Sequence, residues 1–434
     1  MLGYAGRYFS TSHFYLIEDA WAKDEEISIS DQKIMFGVTV LLLMISKISL
    51  GLVADRYFVP GLIFTVTNIS SFFFQLFSNC QKKSYTNHLH FIFLIRTVCA
   101  LSGLGFIFGN KIGWYIAAYA ITGLAIPGSW IGIIGVVARW IPISRQGRTM
   151  GTISTVYLVG DAITSIVIKS LIEIEVPWRG IVCVCAVTCF LTNIPAIFFL
   201  FSTPKRLNLP EPPTRTMNLI TTSSKPNSFL DIVRPLSKSR AFWFLNVLAL
   251  TIYGVNEFFM IFSKKYLIKI YCTSHELTFY ETFDDCMTSH VASNYAFWAS
   301  LILPISGIAS SLATGYLKDG IAKRHRSTLI VSFLIGLLLF LMIMQLFFPC
   351  PMPIACIFIV CCGITLIGPY TLLSGAFILD VGGKYRSASA SSFVNTTGRQ
   401  IITCYFSHII YIYPFFLSEQ VSSVVYWFYC FVSM

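Results

Sequence analysis

GLVADRY, Gly51 to Tyr57, closes one apolar run, and a near copy, GYLKDG, Gly315 to Gly320, closes another. A second pair of stretches repeats in the same order: GLAIPG, Gly123 to Gly128, and GITLIG, Gly363 to Gly368. The first pair is offset by 264 residues and the second by 240, so the chain reads as two copies of one plan, and the first holds 24 more residues between these landmarks. The surplus is expected within 57–95, where Phe-rich runs alternate with Asn, Gln, Lys and His, unlike the flanking sequence; an insertion such as a retained intron accounts for it. In each copy an acidic residue, Asp55 or Asp319, follows a glycine, Gly51 or Gly315, by one helical turn.

Working outward, the composition says what surrounds these motifs. The 434 residues are 55% hydrophobic and only 12% charged, with a mean hydropathy of +0.71. A soluble domain carries about 25% charged residues, so this chain cannot cover a water-soluble particle and reads as an all-α polytopic membrane protein whose solvent is the lipid bilayer. Most of the 13 cysteines lie inside apolar runs such as CVCAVTC and read as small hydrophobes; Cys272 and Cys286, in one polar loop, are the pair to consider for a disulfide. No CxxC, no HExxH and no nucleotide-binding glycine loop occurs, so the sequence calls for no metal and no cofactor. The net charge of +11 is not interleaved with exposed aromatics, and nucleic acid is set aside as a partner.

Apolar segments near 1–17, 34–53, 61–77, 91–109, 113–138, 150–172, 179–201, 241–262, 294–317, 328–348, 353–379 and 388–416 are each long enough to be read against the roughly 20 residues a spanning helix needs. Loops near 54–60, 139–149, 203–240, 318–327 and 384–386 hold 17 Lys and Arg, and the intervening loops hold six. By the positive-inside rule the basic loops face the cytoplasm. Three runs between Arg56 and Arg139 break the parity that this requires, again at 57–95. The expected organisation is an N-terminal helix bundle over 1–202, a cytoplasmic linker over 203–240 rich in Pro, Ser, Thr and Lys, and a C-terminal bundle over 241–434 whose last part, 399–434, is Tyr- and Phe-rich and atypical. Helix 1 begins at the first methionine with about 17 residues, which points to a truncated start.

Paired six-helix halves with a basic central loop are the layout of parallel-repeat transporters. The loop GLVADRY resembles the helix 2–3 signature of the major facilitator superfamily, and GYLKDGIAKRHR resembles its helix 8–9 counterpart. The resemblance implies close packing at Gly51 and Gly315 and a charged gate at Asp55, Arg56 and Asp319. Within that superfamily, GYAGRYFSTSHF, MISKISLGLVADR, RWIPISRQGRTMGTISTVYLVGDAI, the Trp178-Arg179-Gly180 start of helix 6, FSKKYLIK, SGIASSLATGYLKDGIAK and GPYTLLSGAFILDVGGKYRSASASS are similar to the organophosphate:phosphate antiporters. That family holds phosphate between an arginine of helix 1 and one of helix 7; Thr11 and Asn256 stand at those positions here, and Tyr157 stands where the family has a helix 5 histidine. The expected fold is a major-facilitator-type pair of six-helix bundles, about 12 spans, expected as a monomer.

Candidate site residues follow from buried polarity. An arginine at mid-membrane costs about 2.5–3.5 kcal/mol on insertion scales, so Arg7 should face a cavity or a partner. It shares a helical face with Tyr4, Tyr8 and Thr11 and either replaces the missing helix 1 cation or snorkels to the surface. Lys47, where the family also has a lysine, is a site cation or a snorkelling one. Asp161 and Glu257 are carboxylates inside apolar helices, fit for proton coupling or for pairing a buried base. Tyr157 shares a face with Asp161, and Tyr253 with Asn256 and Glu257. Trp130 and Tyr370, each two residues after a repeated glycine, line the cavity or simply pack. The substrate set is thus Arg7, Thr11, Lys47, Tyr157 and Asn256.

The leading reading is a secondary transporter of a small organic solute, an organic anion or sugar-phosphate-like compound, or a proton-coupled carrier of a non-phosphorylated anion or zwitterion. A non-transporting sensor on the same scaffold would bind but show no counterflow. An embedded enzyme would need catalytic groups at one depth, whereas His13, His88, His90, His275, His290, His325 and His408 are scattered through the chain. The topology is testable: a membrane-impermeant thiol reagent should reach Cys272 only from the side opposite to loop 203–240, and labelling from the same side as that loop would overturn the assignment.

Overall fold

The computed structural model describes residues 24–57, 112–199, 204–210, 226–275, 301–322, 325–347 and 350–400, with single residues and short pieces among 5–22 and at 212 and 297. The expectations for 57–95, for Thr11, for the Cys272–Cys286 pair and for 401–434 therefore lie outside the described residues, Tyr57 apart. What is described is helical: α1 (Ile29–Tyr57), α2 (Ile112–Ala125), α3 (Pro127–Trp140), α4 (Gln146–Glu173), α5 (Trp178–Phe199), α6 (Phe229–Lys238), α7 (Arg240–His275), α8 (Ile302–Gly320), α9 (Arg326–Leu346), α10 (Met352–Thr371) and α11 (Phe377–Asn395). Lipid leaves backbone groups nothing to bond except one another, which is why apolar runs of this length become helices. Among the described residues five helical stretches are long and apolar enough to cross a membrane.

Local sequence sets the helix ends. Ser28 and Asp31 cap the start of α1, the Asp31 N–H donating to Ser28 Oγ at 3.2 Å and the hydroxyl donating to Asp31 Oδ2 at 2.7 Å. Two departures from the expected runs have physical causes. The run 113–138 forms two helical pieces, because Pro127 has no N–H to continue the ladder from α2. The segment 203–240, expected as a linker, carries α6, whose Ser228 and Asp231 form a reciprocal capping box.

The chain folds back at Gly383, whose φ of 60° and ψ of −156° suit a residue without a side chain. Tyr370 stacks on Tyr253 at 4.8 Å between ring centroids, and Gly398 also lies against the Tyr253 ring. A straight helix would hold residues 370 and 398 about 42 Å apart. The stretch from α10 through α11 therefore makes two passes, as the separate runs 353–379 and 388–416 anticipated.

Small residues bring helices of the first half against those of the second. On α4 and α8, Gly147, Gly151 and Gly315 meet backbone to backbone: a Cβ on Gly151 would fall 2.5 Å from the Ser311 carbonyl oxygen, and one on Gly315 would fall 2.7 Å from that of Gly147. Gly51 of α1 packs against the Ser392 side chain of α11. Without a hydrophobic drive between helices in lipid, such close approach and inter-helix hydrogen bonds hold the bundle. Ser46 Oγ, for example, donates to the Leu124 carbonyl at 2.5 Å, and Ser310 Oγ donates to that of Ile364. A valine at position 151 should thus cost about 1–3 kcal/mol through overpacking against backbone that cannot yield. Thermal unfolding in detergent should show Gly151→Val clearly less stable than Gly135→Ala, since a Cβ at 135 meets nothing within 4 Å; equal stability would show that the α4–α8 contact is loose.

Candidate functional site

The first four N–H groups of any helix lack intrahelical acceptors and carry the positive end of its dipole. Gly147 and Arg148 are the second and third residues of α4. Both donate their N–H to Asp319, at the end of α8, at 2.9 Å to Oδ1 and 2.8 Å to Oδ2. Asp319 is therefore a cap supplied from the other half of the sequence. Asp55, at the end of α1, makes the matching contact: its Oδ2 accepts the Ser389 N–H of α11 at 2.6 Å, just past the turn at Gly383, while Ser389 Oγ donates to the Gly51 carbonyl at 3.0 Å. Asp55 is 1% exposed, and Arg139 of α3 is buried as well. Each repeated motif thus joins its own half to backbone N–H groups of the other half, at the start of α4 for Asp319 and six residues past the turn at Gly383 for Asp55.

Around these caps the two copies differ in charge. Asp380, near the end of the α10 pass, bonds Arg326 Nη1 at 2.8 Å and the fully buried Lys318 Nζ at 3.3 Å. The residues standing for Lys318 and Asp380 in the first copy are Ala54 and Trp140, and the cation there is Arg139. Arg148 sits over the Tyr316 ring, 4.9 Å from its centroid. The far end of the first half is tied differently: Trp178 Nε1 donates to Asp24 at 2.7 Å, and Arg179 pairs with Glu25 at 2.5 Å.

Away from the caps, four tyrosines form a chain across the two halves. Tyr8 and Tyr157 are 6.2 Å apart between centroids, Tyr157 and Tyr370 6.4 Å, and Tyr370 and Tyr253 4.8 Å. Tyr253 is fully buried, and its hydroxyl donates to Asn395 Oδ1 at 2.9 Å, while Asn395 Nδ2 donates to the Ser391 carbonyl. Thr396, one residue on, is 4% exposed, and its hydroxyl has no hydrogen-bond partner among the described residues. Helical rise places Tyr157 about 15 Å from Gly147 and Lys47 about 12 Å from Asp55, so both stand near half the thickness of a hydrocarbon core of about 30 Å. Lys47 is 9% exposed on α1, one turn from Gly51 on the side toward that level.

The predicted residues divide accordingly. Tyr157 joins the tyrosine chain, and Lys47 is buried at the same level. Asp161, one turn beyond Tyr157, and Asn256 and Glu257, one turn beyond Tyr253, are half-buried. Arg7 opens the short turn Arg7–Ser10 that carries Tyr8, and Thr11 lies outside the described residues. Gly51, Asp55, Gly315 and Asp319 lie at the two caps, and Arg56 lies 4.3 Å over the Phe229 ring. Sequence reasoning missed Ser389, Gly147 and Asn395. The repeat itself held the signal for the first two: shifting Gly147 to Thr149 by the 240-residue offset lands on Ser387 to Ser389. Among the described residues no group of His, Cys, Asp and Glu is arranged to hold a metal ion.

A family model described as Major Facilitator Superfamily matches residues 1–406. No curated protein sequence matches the chain. Among solved structures, a bacterial homologue of the iron transporter ferroportin in an outward-facing state is similar, with a TM-score of 0.61 at 13% identity, over 99% of this chain and 92% of that one. The proton:xylose symporter bound to 6-bromo-6-deoxy-D-glucose follows at 0.60 and 9% identity, over 98% and 89%. The E. coli fucose:proton symporter, as an N162A variant, scores 0.59 at 11% identity, over 98% and 95%. At these identities the likeness establishes the fold.

The cap geometry yields a direct expectation. Hydrogen bonds to a charged group are worth about 1.5–3 kcal/mol each, so Asp319→Ala should speed amide exchange at Gly147 and Arg148 by about tenfold or more. Hydrogen–deuterium exchange of the full chain in nanodiscs reads this out, and unchanged protection at those two amides would mean the carboxylate does not hold them.

Proposed function

This chain belongs to the major facilitator superfamily, and on that footing we propose that it carries a small organic anion across the membrane by alternating access. The family and the solved transporters that share the fold support a multi-pass secondary transporter, which is not an enzyme. Within the superfamily, the motifs around Arg7, Lys47, Trp178 and Gly368 favour kinship with the organophosphate:phosphate antiporters. The carrying observation is the chain Tyr8–Tyr157–Tyr370–Tyr253, which crosses from one half of the sequence to the other about midway along the helices, away from the capped end.

Alternating access needs a site shared by two bodies and a seal that can break on either side of it. Asp55 and Asp319 would be the seal at one end, the cytoplasmic end by the distribution of Lys and Arg. Charge-assisted bonds are strong enough to hold it closed and few enough to be exchanged for water when it opens. At the site, Lys47 supplies positive charge from the first half. The second half offers Tyr253, Asn256 and Glu257, and Glu257 repels a dianion unless protonated. A ligand gripped by one half alone cannot pull the halves together, because it binds both states nearly equally. The geometry therefore suits a monoanion or zwitterion with hydroxyl or amide groups for the tyrosines and asparagines, better than inorganic phosphate.

Counterflow into liposomes tests this. Monocarboxylates or zwitterions should exchange about tenfold or more faster than inorganic phosphate at neutral pH, and Lys47→Gln and Tyr157→Ala should each abolish the exchange while the chain stays folded. Rapid phosphate exchange indifferent to both Glu257→Gln and Lys47→Gln would contradict the assignment.

A further inference from the structure

We propose that α6, the short helix between the two halves, is a releasable clamp on the Asp55 seal, a role that rests on the alternating-access reading above. One face of α6 is built into the second half. Ile232 and Leu236 are at most 1% exposed and share a buried cluster with Phe242 and Leu245 of α7 and with Ala390 and Val394 of α11. Only Ser239 separates α6 from α7, and the joint is stiffened on both sides: Trp243 Nε1 donates to the Ser237 carbonyl at 2.7 Å, and the Phe242 N–H donates to Ser239 Oγ at 3.3 Å. The capping box at Ser228 and Asp231 fixes the other end. As a rigid body, then, α6 moves with α7.

Its contacts flank the seal. Arg386 Nε donates to the Asp231 carbonyl at 3.2 Å, three residues before the Ser389 whose N–H bonds Asp55. On the other side of the same contact, the Arg56 guanidinium lies 4.3 Å from the Phe229 ring centroid, and Arg56 is the residue next to Asp55. Leu52 of α1 packs against the cluster that holds Ile232 and Leu236. So α6 touches both partners of the Asp55 cap, one through Phe229 and the other through the Asp231 carbonyl. The second cap, Asp319 on Gly147 and Arg148, is formed by α8 and α4, outside these contacts. Separating α1 from α11 at this end must pull Arg56 off Phe229, because the ring stays with the second half. A cation over an aromatic face suits that duty: it has no covalent or hydrogen-bond geometry to rebuild, and its strength is of the order of a modest population shift.

The expected consequence is that α6 biases the resting population toward the sealed state, and that whatever displaces Phe229 favours opening. Hydrogen–deuterium exchange on the full chain in nanodiscs can separate this from a local packing role. Phe229→Ala should raise exchange about fivefold in peptides covering 384–392 and, equally, in peptides covering 146–151 at the second cap, because both caps part when the end opens. Leu230→Ala, on the outer face at 72% exposure, should change neither. Asp55→Asn serves as the internal standard for opening. If it speeds both segments while Phe229→Ala speeds only 226–238 and 384–392, or nothing, the clamp is wrong and the gating account stands. If Asp55→Asn speeds neither, both fail.

Discussion

A buried carboxylate next to a helix start is a two-sided constraint. The helix end has N–H groups that lipid cannot satisfy, and the carboxylate has a charge that the interior cannot leave unpaired. Asp319 on Gly147 and Arg148 solves both problems at once, and Asp55 on the Ser389 N–H pairs its carboxylate with backbone in the same way, each across the two halves of the sequence. The rest of the interface follows. The helix ends must come close enough for a short side chain to reach backbone, so the neighbouring positions are glycine and serine: Gly147, Gly151 and Gly315 on one side, Gly51, Ser389 and Ser392 on the other.

Apolar side chains also join the halves beside these small residues: Ile134, Val137 and Met150 of the first half share a cluster with Leu329, Leu372 and Leu379 of the second, and Met150 lies against Gly375. The cluster containing Trp21, Tyr115 and Trp178, by contrast, lies within the first half. The two caps themselves are backbone, hydroxyl and carboxylate contacts, and these can be exchanged for water. Stable bodies joined by a seal of this kind are what an alternating-access cycle requires, and the tyrosine chain stands where the bodies meet beyond the seal. The charge clusters at the capped end reinforce one body rather than the seal: Lys318, Arg326 and Asp380 all belong to the second half.

Much of the fold was legible because membrane helices announce themselves by length and apolarity, and because the chain writes its motif twice. Asp55 and Asp319 could be singled out from the repeat alone. Their partners were harder to see, since the groups they hold are backbone N–H groups, which every residue but proline possesses, and only the 240-residue offset relating Gly147–Thr149 to Ser387–Ser389 pointed to them. The four tyrosines were each marked in the sequence, Tyr8, Tyr157 and Tyr253 by the polar residues sharing their faces and Tyr370 by its place after a repeated glycine, but Tyr253 meets Asn395 across 142 residues of sequence, a distance no helical periodicity bridges. Helix α6 was written plainly in Ser228 and Asp231 and was read as linker because proline, serine and lysine dominate the surrounding stretch. Pro127 likewise divides a run whose hydropathy alone looks continuous.

The central claim is that two carboxylate caps hold one end shut and must let go for the other state to form. The most direct measurement is a distance distribution between spin labels at Arg145, before α4, and His325, before α9, both exposed at the capped end. The labels can be attached through encoded ketone side chains, which leaves the native cysteines untouched. The account predicts a dominant short distance and a minor longer one in the native chain, with the longer population becoming dominant when Asp55→Asn and Asp319→Asn are combined. A single short distance, unmoved in the double variant, would contradict it.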